Sequence, residues 1–137
     1  MRKEMFKAND FFQESKTPST PSFLVFDVPA IAEKMKHEQN WMNGELNSMI
    51  LLKTPYKQIV LTVLHDGTEI ESFQSNQSIT FEIIEGKLMF HTRKETVLLE
   101  KGQIIALHEN IKYSLTTRED SVLLLTIATG AQQFSEN

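Results

Sequence analysis

The 137-residue chain contains no cysteine, which excludes disulfides, thiolate metal sites and thiol nucleophiles. No apolar run approaches the roughly 20 residues that cross a bilayer as a helix, so no membrane partner is expected. The N-terminus, MRKEMFKANDFFQES, mixes charges with aromatics. It lacks the continuous apolar core of a secretion signal, and a cytoplasmic location is the resulting expectation. Positive charge is also short. Fourteen Lys and Arg face 18 Asp and Glu, for a net charge of -4, and no basic cluster is longer than Arg93-Lys94. Replacing phosphate counterions needs a dense cationic surface, so nucleic acid is not an expected partner. A mildly acidic domain of this kind is suited to small molecules or to its own copies.

What is present fits one domain. Hydrophobic residues make up 40% of the chain and charged residues 23%, ordinary values for a globular domain. At this length folding buries about two-thirds of the unfolded chain's surface, enough for one core. Residues 1–21 read as an arm, because Ser15 to Pro21 holds two prolines among four hydroxyl residues and cannot sustain a regular element. Residues 22–28, SFLVFDV, read as a short strand rich in β-formers. Pro29 suits a first helical turn. The stretch from Pro29 to Gln39 places Ile31 and Met35 on one face of a short amphipathic helix. Asn43-Gly44 marks a turn.

From Asn47 the pattern changes. SMILLKT, QIVLTVL, SITFEII, KLMFHT, TVLLE, QIIAL, KYSLT and VLLLTIA are eight β-type runs, separated by turn formers such as Asp66-Gly67, Glu85-Gly86 and Lys101-Gly102. Short strands at this spacing argue for an all-β sandwich or barrel. Ile50 to Leu52 and Leu123 to Leu125 are apolar at consecutive positions, which implies strands covered on both faces. The cover would come from the N-terminal segment or from a partner chain.

The glycines are in register with a known pair of motifs. Gly67 and Gly86 frame the first, and Gly102 opens the second after fifteen intervening residues. The region from about Ser48 to Ala128 resembles the small single-domain cupins, whose motifs are G-x5-H-x-H-x3-4-E-x6-G and G-x5-P-x-G-x2-H-x3-N. The resemblance implies an all-β, cupin-type double-stranded β-helix (jelly-roll) barrel of two antiparallel sheets. The N-terminal arm and helix precede it, and residues 22–137 form one domain. In the family three histidines and a glutamate converge on a divalent metal inside the barrel. Residues two apart on a strand share a face, so the paired histidines both aim inward.

Here those four positions hold Phe73, Ser75, Ile79 and Tyr113, with His108 and Asn110 at the proline and glycine of the second motif and Thr117 at its final asparagine. Phe and Ile cannot coordinate, Ser is a weak uncharged ligand, and Tyr ligates only in special settings. Neither metal nor cofactor is therefore expected, and the positions that usually carry catalysis hold no acid, base or ligand set. Asn110 tolerates left-handed backbone, so its turn can survive.

The expected site is an apolar lumen lined by Phe73, Ile79, Phe81 and Ile83, with the hydroxyls of Ser75 and Tyr113 as its few polar groups, a mixture that small-molecule sites use. The competing structural reading has the same residues filling the barrel as dry core. His37, His65, His91 and His108 share no ligand spacing and read as partly exposed groups on loops and outer faces. Glu82 and Glu85 have an odd separation and cannot pair on one strand face. The leading functional expectation is a non-catalytic small-molecule-binding cupin. The alternatives are a metal enzyme with unorthodox ligands, a metal-free isomerase using Tyr113, and a structural or interaction module. Small cupins similar to this chain are often homodimers with an N-terminal strand crossing over. Together with Phe23, Leu24, Phe26, Trp41 and Met42, which exceed what a short arm should expose, the resemblance implies a homodimer.

Overall fold

A computed structural model of the chain describes residues 21–71 and 76–128. The expected arm, residues 1–21, falls almost wholly outside the described residues. Two short helices precede nine strands: α1 (Val28–Met35), α2 (Gln39–Met42), β1 (Asn47–Lys53), β2 (Lys57–Leu64), β3 (Glu69–Glu71), β4 (Ser78–Glu85), β5 (Lys87–Thr92), β6 (Thr96–Glu100), β7 (Ile104–Leu107), β8 (Tyr113–Thr117) and β9 (Ser121–Ala128). The strands form a five-stranded sheet in the order β1-β2-β9-β4-β7 and a four-stranded sheet in the order β3-β8-β5-β6. Every pairing is antiparallel.

The eight β-type runs of the sequence are all strands, within a residue or two at their ends. The ninth, β3, has only three residues, Glu-Ile-Glu, too few for an alternation to register in the sequence. Residues 22–28, expected as a strand, form none: 22–27 lie in no regular element and Val28 opens α1. Their β-forming side chains lack a neighbouring strand to pair with, and β propensity expresses itself only through such neighbours.

Strand alternation divides the core in two. Facing the space between the sheets are Phe81 and Ile83 from β4, Leu88 and Phe90 from β5, Leu115 from β8 and Leu123 from β9. On the outer side of the five-stranded sheet, Leu61, Val63 and Val122 pack against Ala32 and Met35 of α1. The consecutive apolar residues of β9 are thereby explained. Leu123 and Leu125 join the interior, while Val122 and Leu124 meet the helix layer. The cover expected from the N-terminal segment is α1.

Local chemistry fixes that helix. The Asp27 carboxylate accepts from the Ala30 backbone N–H at 3.2 Å, satisfying one of the donors that a helix start leaves orphaned, and Pro29 sits in the first turn. Met35 is fully buried, and burying a side chain of this size stabilises by about 1.5–3 kcal/mol. Below the helix, the buried Asn47 side chain donates to the Met35 carbonyl at 3.1 Å and to Glu38 Oε1 at 2.7 Å, and accepts from Asn40 Nδ2 at 3.1 Å. One amide thus ties the end of α1 to the first strand. Trp41 stacks on His65, with ring centroids 3.5 Å apart, and its carbonyl lies 3.1 Å from His65 Nε2, which seats α2 at the end of β2.

The connection between the two sheets at Gly86 leaves no room for a side chain. Gly86 has φ +98°, and a Cβ there would overlap Ser121 Oγ and come within 2.6 Å of the Asp120 carbonyl oxygen. Asn110 adopts φ 67°, the left-handed backbone expected of it as a substitute for the motif glycine.

Candidate functional site

Four of the six residues expected to line the lumen lie in the described structure, and the fold brings them together. Phe81 and Ile83 belong to the interior cluster, and Ile79 and Tyr113 pack against it half-buried. Phe73 and Ser75 lie outside the described residues. Phe81 and Ile83 are 2% and 1% exposed, so they fill the interior and line no space there. Three aromatic rings do most of the filling. Phe81 meets Phe90 and Tyr113 edge-on, with centroids 5.5 and 5.3 Å apart, and Phe90 lies nearly parallel to Tyr113 at 5.2 Å. These are the separations at which aromatic pairs add about 0.5–1.5 kcal/mol beyond area burial.

Ile79 and Tyr113 also occupy two of the four positions at which the cupin motifs carry metal ligands. Ile79 offers only hydrocarbon, and the Tyr113 ring is committed to its contacts with Phe90 and Phe81. Among the described residues no three His, Asp or Glu side chains come together as a metal would require. The two described motif positions thus supply neither an imidazole nor a carboxylate, the groups that hold a divalent cation.

A cleft of about 260 Å³ opens where β3 and β5 end and β8 begins. Strand register builds it. Ser114 lies directly across from Glu71 on one side and from His91 on the other. All three line the cleft, as do Thr92 and Tyr113, the next pair in the β5–β8 ladder. Arg93 and Lys112, one position beyond that pair, flank it. His91 Nδ1 sits 3.0 Å from Thr96 Oγ1 across the β5–β6 ladder, so its ring is anchored. Tyr113 therefore belongs at once to the packed aromatic cluster and to a polar, open cleft. Sequence reasoning placed Tyr113 in the site but missed Glu71, His91, Thr92, Arg93, Lys112 and Ser114. Alternation beside Phe90 and Tyr113 puts His91 and Ser114 on the opposite face, but nothing in the sequence states which strands adjoin.

The second motif's last position has a structural role. Thr117 is almost fully buried. Its hydroxyl donates to the His65 carbonyl at 2.6 Å and accepts from the Thr68 N–H at 2.8 Å, while its carbonyl accepts from the Gly67 N–H at 3.1 Å. The turn that opens the first motif is thereby fastened to the strand that closes the second. Neither His65 nor His108 lines the cleft, and His37 Nδ1 bonds the Glu33 carbonyl just past the end of α1.

Two antiparallel sheets closed face to face, with the motif glycines at the turns, define a double-stranded β-helix, and known structures agree. The chain resembles a conserved protein of unknown function from Streptococcus pyogenes at 22% identity and a TM-score of 0.64, covering 85% of this chain and 96% of that one. An uncharacterized conserved protein with a double-stranded β-helix domain from Klebsiella pneumoniae matches at 21% identity and a TM-score of 0.62, over 78% and 90% of the two chains. The cupin domain of Cnp3 from Schizosaccharomyces pombe matches at 19% identity and a TM-score of 0.61, over 72% of each. The protein has the cupin fold. No family model and no curated protein matches its sequence. Among the described residues no helix is long and apolar enough to cross a membrane.

Proposed function

We propose that this protein is a non-catalytic cupin module that binds a small molecule at the Tyr113 end of its barrel, without a metal at the family's usual position. One observation carries the reading: Tyr113 presents the edge of an otherwise filled interior to a cleft lined by hydroxyl and charged groups. Ligand sites combine apolar surface with a few convergent polar groups in this way, and those for drug-sized molecules span about 300–1,000 Å³. At about 260 Å³ the cleft suits something smaller. A thermal-shift and calorimetric screen across metabolite classes tests the reading. Binding that weakens in Tyr113→Phe supports it, whereas a screen with no ligand at all leaves a purely structural module.

A metal-free isomerase using Tyr113 is the second reading, and the presence of His91 in the same cleft favours it. It requires a turnover that both Tyr113→Phe and His91→Gln abolish; a ligand bound unchanged at equilibrium argues for the module instead. Homodimerisation is part of the proposal. Phe23, Leu24 and Val25 are 75%, 56% and 81% exposed, and Ile50 and Tyr56 on and beside the edge strand β1 are more than half exposed. A second copy would cover them, and light scattering at micromolar concentration giving the mass of one chain refutes it.

A further inference from the structure

The cleft has a charge character that runs against the rest of the chain. The protein carries a net charge of -4, yet the cleft's permanently charged groups are Arg93 and Lys112 against the single carboxylate of Glu71. Lys36 and Lys87 are held in ion pairs with Glu85, Glu100 and Glu119 at 3.4–4.0 Å. Among the described residues neither Arg93 nor Lys112 has such a partner. Both sit one residue outside the last β5–β8 pair, Thr92↔Tyr113, so two cations from different strands flank one opening. Between them the lining supplies the Ser114 hydroxyl and the anchored ring of His91, while the Thr92 hydroxyl is held in the 92–95 turn by the Glu95 carbonyl and the Lys94 and Glu95 N–H groups. A guanidinium grips two oxygens of one anion at once, while an ammonium acts as a point charge. Hydroxyls and imidazole N–H groups add further donors.

We infer that the cleft recognises a small oxyanion, the carboxylate or phosphate end of a metabolite. The inference rests on the small-molecule reading above and names the ligand's chemical class. Arg93 and Lys112 hold the anion from opposite sides, the Ser114 hydroxyl orients it, and Glu71 faces the portion of the ligand that is not anionic. Both cations are exposed, so each contact is screened by salt. A bare anion accordingly binds weakly, with a Kd on the order of millimolar, near the −4 kcal/mol scale of weak association.

Amide shifts of the isotope-labelled full chain under titration test this, with inorganic phosphate, malonate and uncharged malonamide as separate probes. The expected result is saturable movement confined to residues 91–93 and 112–114 with phosphate or malonate. Whichever saturates at lower concentration identifies phosphate or carboxylate as the recognised end. Arg93→Ala combined with Lys112→Ala should weaken that binding by about tenfold or more, the size of two charge-assisted contacts. An unchanged melting temperature then shows that the fold is intact. Glu71→Gln should strengthen it by about two- to threefold, the scale of an exposed charge pair. Malonamide binding as well as malonate overturns the anion assignment while leaving a small-molecule cleft in place. Anion shifts that are unsaturable, spread over the surface, or untouched by the double variant also overturn it. A metabolite screen that likewise finds no ligand then removes the parent reading separately.

Discussion

The two sheets use the same strand chemistry and are finished differently. The five-stranded sheet is apolar on both faces, one buried in the barrel and the other under α1 through Ala32 and Met35. The four-stranded sheet is apolar on its inner face, while its outer face mixes the Met89–Leu98 pair with polar residues. Beside its inward Phe90 and Leu115 run His91, Ser114 and Glu71, paired across β5, β8 and β3, and among the described residues no helix packs above them. A covered face must be filled with hydrocarbon, because unpaired polar groups there cost free energy. An uncovered face is free to carry charge. Among the described residues His91, Ser114 and Glu71 therefore share a face that neither helix covers, and the cleft lies at the end of that sheet.

Substitutions can break or sharpen this contrast. The largest effect belongs to the interior that both sheets share: Phe90→Ala should lower unfolding free energy by about 3–5 kcal/mol in a denaturant titration, because a large ring leaves a cavity bordered by Phe81 and Tyr113. Gly86→Ala, at the turn joining the sheets, should cost about 2–4 kcal/mol from overlap with Ser121 and left-handed backbone strain. Gly102→Ala is its control. That position shares the positive φ, but an alanine methyl there would meet nothing within 4 Å, so its loss should stay near about 1 kcal/mol. On the covered outer face, Met35→Ala should cost about 2–3 kcal/mol, toward the low end for such truncations because α1 can settle onto the sheet. Thr117→Val removes one hydrogen bond from the His65 carbonyl and one from the Thr68 N–H, which still bond each other, and should cost about 0.5–1.5 kcal/mol by the same measurement. On the uncovered face, Arg93→Ala with Lys112→Ala should change stability by less than about 0.5 kcal/mol. A large loss there would show that these cations support the fold and would erase the distinction between the sheets.

The barrel was legible in the sequence because its signals are local. Alternation in SITFEII and KLMFHT marks two strands, and Glu85-Gly86 marks the turn between them. Asp27 and Pro29 announce α1 for equally local reasons. The interior was half legible. Ile79, Phe81, Ile83 and Tyr113 converge as the motif spacing implied, but whether such residues line a space or close it depends on Phe90, which joins them only through the β5–β8 ladder. Of the cleft only Tyr113 was legible. Its residues come from positions 71, 91–93 and 112–114, and only the register of three strands makes them neighbours. The extended stretch around Phe23 shows the opposite failure, since strong local preference had no partner to act on.

The chain has one tryptophan, and the structure stacks it on His65 rather than in the barrel. Its fluorescence is thus a built-in optical gauge of a single joint, the seam between the helical layer and the end of β2. Loosening of that seam would register as a change in emission while the aromatic interior, which contributes no indole, stays silent. Layer detachment and barrel melting can therefore be timed independently in the unlabelled protein.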